Sequence, residues 1–255
     1  MNLFLFIVYC IAVCYNDRLW DDLFHISKKG KRMMEKIKQF FIKYHHAWTV
    51  LYFPIYMIWF TWLERTITPD TPHTNIHVRF DDMIPFCEWF VIPYVLWFVY
   101  IFVVMAFTLF TSREEYYKAS AYLFVGMSIC LLVCTLWPNG QDLRVDGFES
   151  DNIMTSLMGF IYSADTNTNV FPSIHVFNSV GAVILIYKSH ILKNIKWIKI
   201  SSVILSTFII LSTMFLKQHS VMDVLAGLAL GALMYIPVYA IDWKKICEKR
   251  TLKKA

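Results

Sequence analysis

The chain has 255 residues, of which 57% are hydrophobic, 17% are aromatic and only 17% are charged. Its mean hydropathy is +0.48. Because about a quarter of the residues of a soluble domain are usually charged, this composition excludes an ordinary soluble enzyme and indicates an integral membrane protein. The net charge of +5 raises the alternative of nucleic-acid binding, but the basic residues are distributed as membrane topology requires, so no nucleic-acid partner is expected.

The first 46 residues contain an apolar segment and a basic helix. Residues 1–15 are apolar but lack the basic start of a signal peptide, which favours a membrane-contacting helix or a hydrophobic leader. Residues 31–46 carry apolar side chains at helical spacing with lysines between them. This pattern predicts a basic amphipathic helix lying on an anionic leaflet, with a solvated cytoplasmic helix as the alternative.

Six later stretches approach the roughly 20 apolar residues that a membrane span requires. The first, 47–63, is short, has tryptophans near its ends, and contains Pro54, which predicts a kink. The other five spans are predicted at 89–111, 117–137, 173–191, 197–216 and 219–241. The sequence therefore predicts an all-α, polytopic bundle of about six transmembrane helices over 47–242, followed by a basic cytoplasmic tail over 243–255.

The positions of Lys and Arg predict the orientation of this bundle. Both termini and the loops after the second and fourth spans are assigned to the cytoplasm. The opposite side then holds only four of the 24 Lys and Arg residues: Arg65, Arg79, Arg144 and Lys217. Such an imbalance follows the positive-inside rule. The two long loops, 64–88 and 138–172, are therefore expected on the extracytoplasmic side of the cell membrane, and connections of that length are usually functional.

Three segments at the extracytoplasmic ends of the spans carry the candidate site residues. The third segment, 212–219 followed by Asp223, lies at the junction of the fifth and sixth spans. In it, His219 and Asp223 are four residues apart, so on a helix the carboxylate can accept a hydrogen bond from the imidazole. That bond fixes the ring tautomer and leaves the other nitrogen free as a nucleophile or base. A polar helix cap is the alternative interpretation of the pair.

The second segment is Pro172-Ser173-Ile174-His175, at the start of the fourth span. Proline suits the first turn of a helix, and the free N–H groups that follow it form an anion site at the positive helix end. The Ser173 hydroxyl can add a donor, and His175 can protonate a leaving oxygen. Read alone, the segment is equally a capped helix start.

The first segment, over 138–144, supplies an arginine and an amide. The planar fork of Arg144 suits phosphate oxygens, and Gln141 can donate beside it, although a solvated loop arginine is the alternative. Lys217 and Gln218 are either further phosphate donors or polar caps of the helix end. The cysteines and histidines lack metal-site spacing, so no metal or other cofactor is predicted.

Together the three segments resemble the type 2 phosphatidic acid phosphatase superfamily of membrane lipid phosphatases. The resemblance covers roughly residues 89–241. Its second motif, Pro-Ser-x-His, matches at Pro172, Ser173 and His175, and its third matches at Ser212, His219 and Asp223. With isoleucine rather than glycine at 174, before the histidine, the second motif resembles that of the family branch that contains inositol phosphorylceramide synthases.

The sequence also departs from the family pattern. Trp137 stands where the first motif has lysine, Val145 replaces a proline, and Thr213 replaces an arginine. Two phosphate-binding cations are thus missing, and Gln141 and Lys217 are the expected replacements.

The resemblance implies a metal-independent lipid phosphate phosphatase with three catalytic residues, in which His219 is the nucleophile, His175 the acid and base, and Asp223 the partner of His219. It implies that Gln141, Arg144, Ser173 and Lys217 bind the phosphate of a phospholipid or polyprenyl phosphate. The alternatives are a lipid phosphotransferase using the same site, a small transporter, and an inactive relative. Gly227 and Gly231 favour close packing within the bundle over a dimer seam, and the oligomeric state is left open.

Overall fold

The computed structural model describes residues 28–241. The expectations for residues 1–15 and for the tail after 242 lie outside that range. The chain divides into two compact units, residues 1–48 and 49–255, and each is described by itself.

In the first unit, helix α1 spans Lys28–Lys43, so it covers most of the amphipathic segment expected over 31–46. Tyr44 continues the chain with its N–H on the Phe40 carbonyl at 2.9 Å, and the two rings lie 4.8 Å apart. A 3₁₀ helix, His45–Leu51, then leads into the second unit.

The second unit is mostly helical. Its described elements are α2 (Tyr52–Thr66), β1 (Thr74–Asn75), α3 (Arg79–Asp82), a 3₁₀ helix (Glu88–Phe90), α4 (Val91–Thr111), α5 (Arg113–Leu136), β2 (Asn139–Gly140), α6 (Ile153–Ala164), α7 (Ile174–Lys188), α8 (Lys196–Phe215), α9 (Val221–Tyr235) and a π-helix (Ile236–Ala240).

Within the described residues, four helices are long and apolar enough to cross a membrane: Glu88–Thr111, Arg113–Leu136, Lys196–Phe215 and Val221–Ala240. The protein is therefore a multi-pass, all-α membrane bundle. Helix α7 is apolar but has only 15 residues. Its rise is about 22 Å, which is shorter than a hydrocarbon core of about 30 Å.

Helix α2 differs from the expected kinked span over 47–63. The backbone is a 3₁₀ helix up to Leu51, and the α-helix begins only at Tyr52, so Pro54 lies in its first turn. A proline is tolerated there because the N–H that it lacks would have no partner within the helix. The change of helix type thus precedes the proline, and the α-helix continues without interruption to Thr66.

Helix α7 lies at the centre of the unit and packs against α4, α5, α8 and α9. The ring of Phe177 stacks on Tyr122 of α5 at 5.1 Å. On α9, a Cβ at Gly227 would come within 2.9 Å of the Ser173 carbonyl oxygen, and one at Gly231 within 2.9 Å of Val180. The expectation that these glycines serve close packing inside the bundle is confirmed, and they bring the start of α7 against α9.

The two long connections meet at one end of the unit. Strands β1 and β2 pair in parallel, Thr74 with Asn139 and Asn75 with Gly140. His77 places Nε2 2.7 Å from Asp82 and Nδ1 2.9 Å from Asp142, and these carboxylates raise the pKa of His77. Segment 64–88 is thereby attached to segment 138–172, and both lie beside the residues that follow α8.

Candidate active site

The three predicted segments converge where α5 and α8 end and where α7 and α9 begin. The third segment, which runs from the end of α8 through a turn into the first turn of α9, carries His219 and forms hydrogen bonds to both other segments. The Arg144 guanidinium donates to the Gln218 side-chain oxygen at 2.7 Å, and the Ser173 N–H donates to the Asp223 carbonyl at 3.2 Å. Residues from all three segments therefore surround one place.

His219 and Asp223 form the closest pair. Ser220 is the N-cap of α9, which puts His219 just before the helix and Asp223 in its first turn. The His219 Nδ1 atom lies 3.2 Å from Asp223 Oδ2, and the same oxygen accepts the Ser220 N–H at 2.9 Å. Asp223 is fully buried. The imidazole is thus oriented through Nδ1, which leaves Nε2 as the atom available for chemistry.

The start of α7 offers unpaired donors. Ser173 is the N-cap, and its hydroxyl oxygen accepts the Val176 N–H at 3.4 Å. Pro172 therefore precedes the helix, whereas the sequence places it in the first turn. Among the described residues, no acceptor is found for the N–H groups of Ile174 and His175. These groups lie at the positive end of the helix dipole, where an anion is favoured.

His175 lies between aromatic rings and the second histidine. Its ring centroid is 4.7 Å from that of Tyr94 and 4.3 Å from that of Trp97, both on α4. The centroid of His219 is 5.7 Å away. Within residues 28–241, the His175 ring has no hydrogen-bond partner. The two imidazoles are therefore neighbours, and His175 also packs against aromatic rings of α4.

Arg144 is held by several contacts next to Gln218, the residue before His219. Its guanidinium donates to the carbonyls of Tyr162 at 3.0 Å and Thr166 at 2.8 Å, and it lies 4.5 Å over the Tyr162 ring. Burial lowers the pKa of Arg144, an effect that Asp165 and other nearby groups oppose, and an arginine remains charged in proteins. The sequence alternative of a solvated loop arginine is not what the structure shows.

Three buried donors near the two histidines have no hydrogen-bond partner within the described part of the chain: Arg144 Nε, the side-chain nitrogen of Gln218 and Nε1 of Trp97, whose ring lies beside His175. Gln218 is only 3% exposed. Buried donors normally have partners, so the adjoining orphan donors of Arg144 and Gln218, at the residue before His219, fit an oxyanion such as phosphate. The sequence alone leaves Gln218 open between a phosphate donor and a polar cap of the helix end.

Lys217 and Gln141, the expected replacements for the missing cations, both hold the turn before His219. The Lys217 ammonium donates to the Asp81 carbonyl at 2.7 Å, and the Gln141 side-chain N–H donates to the Lys217 carbonyl at 2.9 Å. Gln141 also accepts the Leu143 N–H through its side-chain oxygen. The structure thus shows a positioning contact for each, and their binding of phosphate stays a prediction.

Two carboxylates near the site were not anticipated. Glu64 accepts hydrogen bonds from Thr166 and Asn169, which fixes the segment whose carbonyl receives Arg144. Burial, followed by the charge of Glu64, raises the pKa of Asp165 to about 6, although Arg144 and His219 oppose the shift. Lone acidic residues near helix ends, such as Glu64 in the last turn of α2 and Asp165 after α6, give no sequence signal. Among the described residues, no three His, Cys, Asp or Glu side chains are grouped to hold a metal ion.

Comparison with known proteins points to the same chemistry. Residues 136–247 match the PAP2 superfamily. The sequence resemblance is confirmed at this level, and the matched range contains the three segments described above. No curated protein and no solved structure matches the chain. The members of this superfamily are phosphatases or phosphotransferases, and the apolar helices of the chain fit a membrane protein.

Proposed function

We propose that the protein is a lipid phosphate phosphatase that works without a metal ion through a phosphohistidine at His219. One observation carries the proposal. The two histidines lie 5.7 Å apart beside the free N–H groups of α7 and the orphan donors of Arg144 and Gln218. A nucleophile, an acid and an oxyanion cradle are the components that phosphoryl transfer requires.

In the first step, His219 Nε2 attacks the phosphorus in line, and the bond from phosphorus to the lipid oxygen breaks. His175 gives its proton to that departing oxygen. The N–H groups of Ile174 and His175, with Arg144, stabilise the negative charge on the equatorial oxygens. Asp223 holds the His219 ring through Nδ1 and balances the positive charge that the ring gains.

In the second step, water attacks the phosphohistidine, and His175 accepts a proton from it. The bond from nitrogen to phosphorus breaks, inorganic phosphate leaves, and both histidines return to their starting states. The aromatic wall of Tyr94 and Trp97 beside His175 suits a lipid leaving group, because it is apolar and lies on a membrane helix.

The same intermediate serves a phosphotransferase in which a lipid alcohol replaces water. The observation that favours this second candidate is Ile174 between Ser173 and His175, the form found in the branch with inositol phosphorylceramide synthases.

For topology we propose six spans, with 47–63 and α7 added to the four long helices. Both termini then lie in the cytoplasm, and the site lies at the extracytoplasmic face of the cell membrane. The four outer cations against 20 on the other side support that orientation.

The test is a phosphate-release assay on the purified full-length protein in detergent. The panel contains phosphatidate, phosphatidylglycerophosphate and a polyprenyl pyrophosphate, each with and without a lipid alcohol acceptor. We expect phosphate release from at least one lipid and none with the matched variant His219→Ala. Transfer to the acceptor without phosphate release would select the phosphotransferase, and inactivity of the wild-type protein towards the whole panel would contradict both candidates.

A further inference from the structure

We infer that Asp81 is a positioning residue of this site, because it holds the His219 turn from both sides. Asp81 lies on α3, far from the turn in sequence, and is 2% exposed. Its carbonyl accepts the Lys217 ammonium at 2.7 Å. Its carboxylate accepts the Ser220 hydroxyl and the Val221 N–H, each at 2.8 Å. The contacts thus flank His219 without touching it.

The turn needs such support because its backbone is not relaxed. Lys217 has a φ of 56°, a conformation that is uncommon for residues other than glycine and costs of order 1 kcal/mol or more. The N–H groups of Gln218 and His219 share the Thr213 carbonyl, at 2.9 and 3.0 Å. Strained conformations persist only where the surroundings over-determine them, and Asp81 supplies three of the external bonds that do so.

Asp81 is itself held in place by two hydrogen bonds to Val78 of its own loop. Its N–H donates to the Val78 carbonyl at 2.8 Å, and its Oδ2 atom accepts the Val78 N–H at 2.9 Å. Both carboxylate oxygens therefore have partners, which offsets the cost of burying the charge. The negative charge also lies at the N-terminus of the 15-residue helix α9, where the helix dipole stabilises it.

This arrangement also separates the two helix ends of the site. At α9, Asp223 accepts the Ser220 N–H and Asp81 accepts the Val221 N–H, so two protein carboxylates already occupy that end. At α7, the N–H groups of Ile174 and His175 are free within the described chain. Asp81 therefore helps to keep the nucleophile, rather than an anion, at the start of α9, while the N–H groups of α7 remain for the phosphate.

The inference rests on the proposed phosphohistidine chemistry, and one experiment separates the two. Full-length protein is mixed with ³²P-labelled phosphatidate in mixed micelles and quenched into base, which preserves phosphohistidine. The amplitude of labelled protein counts competent sites, whereas the rate constant reports the chemistry at each site. The variants are Asp81→Ala and Asp81→Asn, and the control is Asp70→Ala, which removes an exposed carboxylate of the same loop.

We expect the rate constant of Asp81→Ala to fall by up to about 10²-fold, the effect of displacing a reacting group by about 1 Å. The KM should change little, because Asp81 contacts neither α7 nor Arg144. Asp81→Asn keeps the shape and should fall between wild type and Ala, while the control matches wild type. If Asp81→Ala does not fold, Ser220→Ala removes one of the same bonds and should lower the rate constant in the same direction.

A reduced amplitude with an unchanged rate constant would show that Asp81 only supports folding and would overturn the inference alone. Absence of labelled protein in the wild type, with phosphate nevertheless released, would overturn the phosphohistidine mechanism and the inference with it.

Discussion

The substitution Asp223→Asn isolates the electrostatic part of the proposed mechanism. Asp223 Oδ2 faces two donors, His219 Nδ1 at 3.2 Å and the Ser220 N–H at 2.9 Å. The amide oxygen of asparagine can accept both bonds, so the ring stays in place. Its NH₂ group then occupies the position of Oδ1, which is buried and has no partner among the described residues. An unsatisfied buried donor costs about 1–3 kcal/mol of stability, so the variant should fold with a lower melting temperature.

The catalytic cost is larger than the stability cost. At an effective dielectric constant of about 20, a full negative charge at the 3.2 Å separation stabilises the imidazolium by about 5 kcal/mol. Since each 1.36 kcal/mol of barrier is a tenfold change in rate, complete loss of that charge would slow the reaction about 10⁴-fold. The amide dipole retains part of the interaction, so the expected loss in kcat is about 10² to 10⁴-fold.

The assay is phosphate release per competent site, counted by labelling with ³²P-phosphatidate, with the melting temperature measured on the same preparation. Asp151→Asn is the matched control, because it makes the same chemical change at an exposed carboxylate. If Asp223→Asn kept activity within about threefold of wild type at full folding, charge stabilisation by Asp223 would be refuted. If it did not fold, the buried pair would be structural and the electrostatic argument would fail.

Four further predictions test other parts of the proposal. His175→Ala should slow turnover of phosphatidate by about 10²–10⁴-fold but should act nearer the wild-type rate on p-nitrophenyl phosphate, whose leaving group needs no proton; equal rescue of His219→Ala would show that the roles are wrongly assigned. A cysteine at Gly147, where an added Cβ meets no atom within 4 Å, should react with an impermeant maleimide in intact cells, and labelling only after permeabilisation would invert the orientation. Turnover should continue in excess EDTA, and a loss that a divalent ion restores would contradict the histidine mechanism. Because burial and Glu64 raise the pKa of Asp165 to about 6, the stability that its neutral form contributes is complete below its ordinary pKa and is lost as pH rises through about 6. Asp165→Asn should therefore raise the melting temperature near pH 8 but not near pH 4, and equal shifts at both would refute the cause given.

The secondary structure that fixes the membrane class could be predicted because its signal is local. Apolar length alone places the four long helices near their observed bounds, and the predicted 89–111 ends at the same residue as α4. The start of α2 could not be predicted in this way. The segment 47–63 is uniformly apolar, and composition does not distinguish a 3₁₀ helix from an α-helix when both bury the same residues.

The candidate site likewise has contacts that the local sequence predicts and contacts between distant residues that it does not predict. The pairing of His219 with Asp223 could be predicted from their spacing of four residues, although His219 lies just before α9 and not on its face. The free N–H groups of Ile174 and His175 follow from any helix that starts near Pro172. By contrast, Ser220 and Asp81 are bonded across a separation of 139 residues, and Arg144 and Gln218 across 74. No periodicity links such positions.

The donors assigned to phosphate show most clearly what the sequence alone could not predict. From sequence, Lys217 is the expected replacement for a missing family cation, while both Lys217 and Gln218 are either phosphate donors or polar caps of the helix end. In the folded chain, the left-handed backbone at Lys217 accompanies an ammonium directed to the Asp81 carbonyl. The buried Gln218 nitrogen beside Arg144 has no partner among residues 28–241. The sequence by itself determined the membrane class, the helices and the local His219–Asp223 pair. Only the tertiary structure decided which polar side chains hold the turn and which remain free, because that depends on long-range contacts that bring α3, α7 and the α8–α9 turn together.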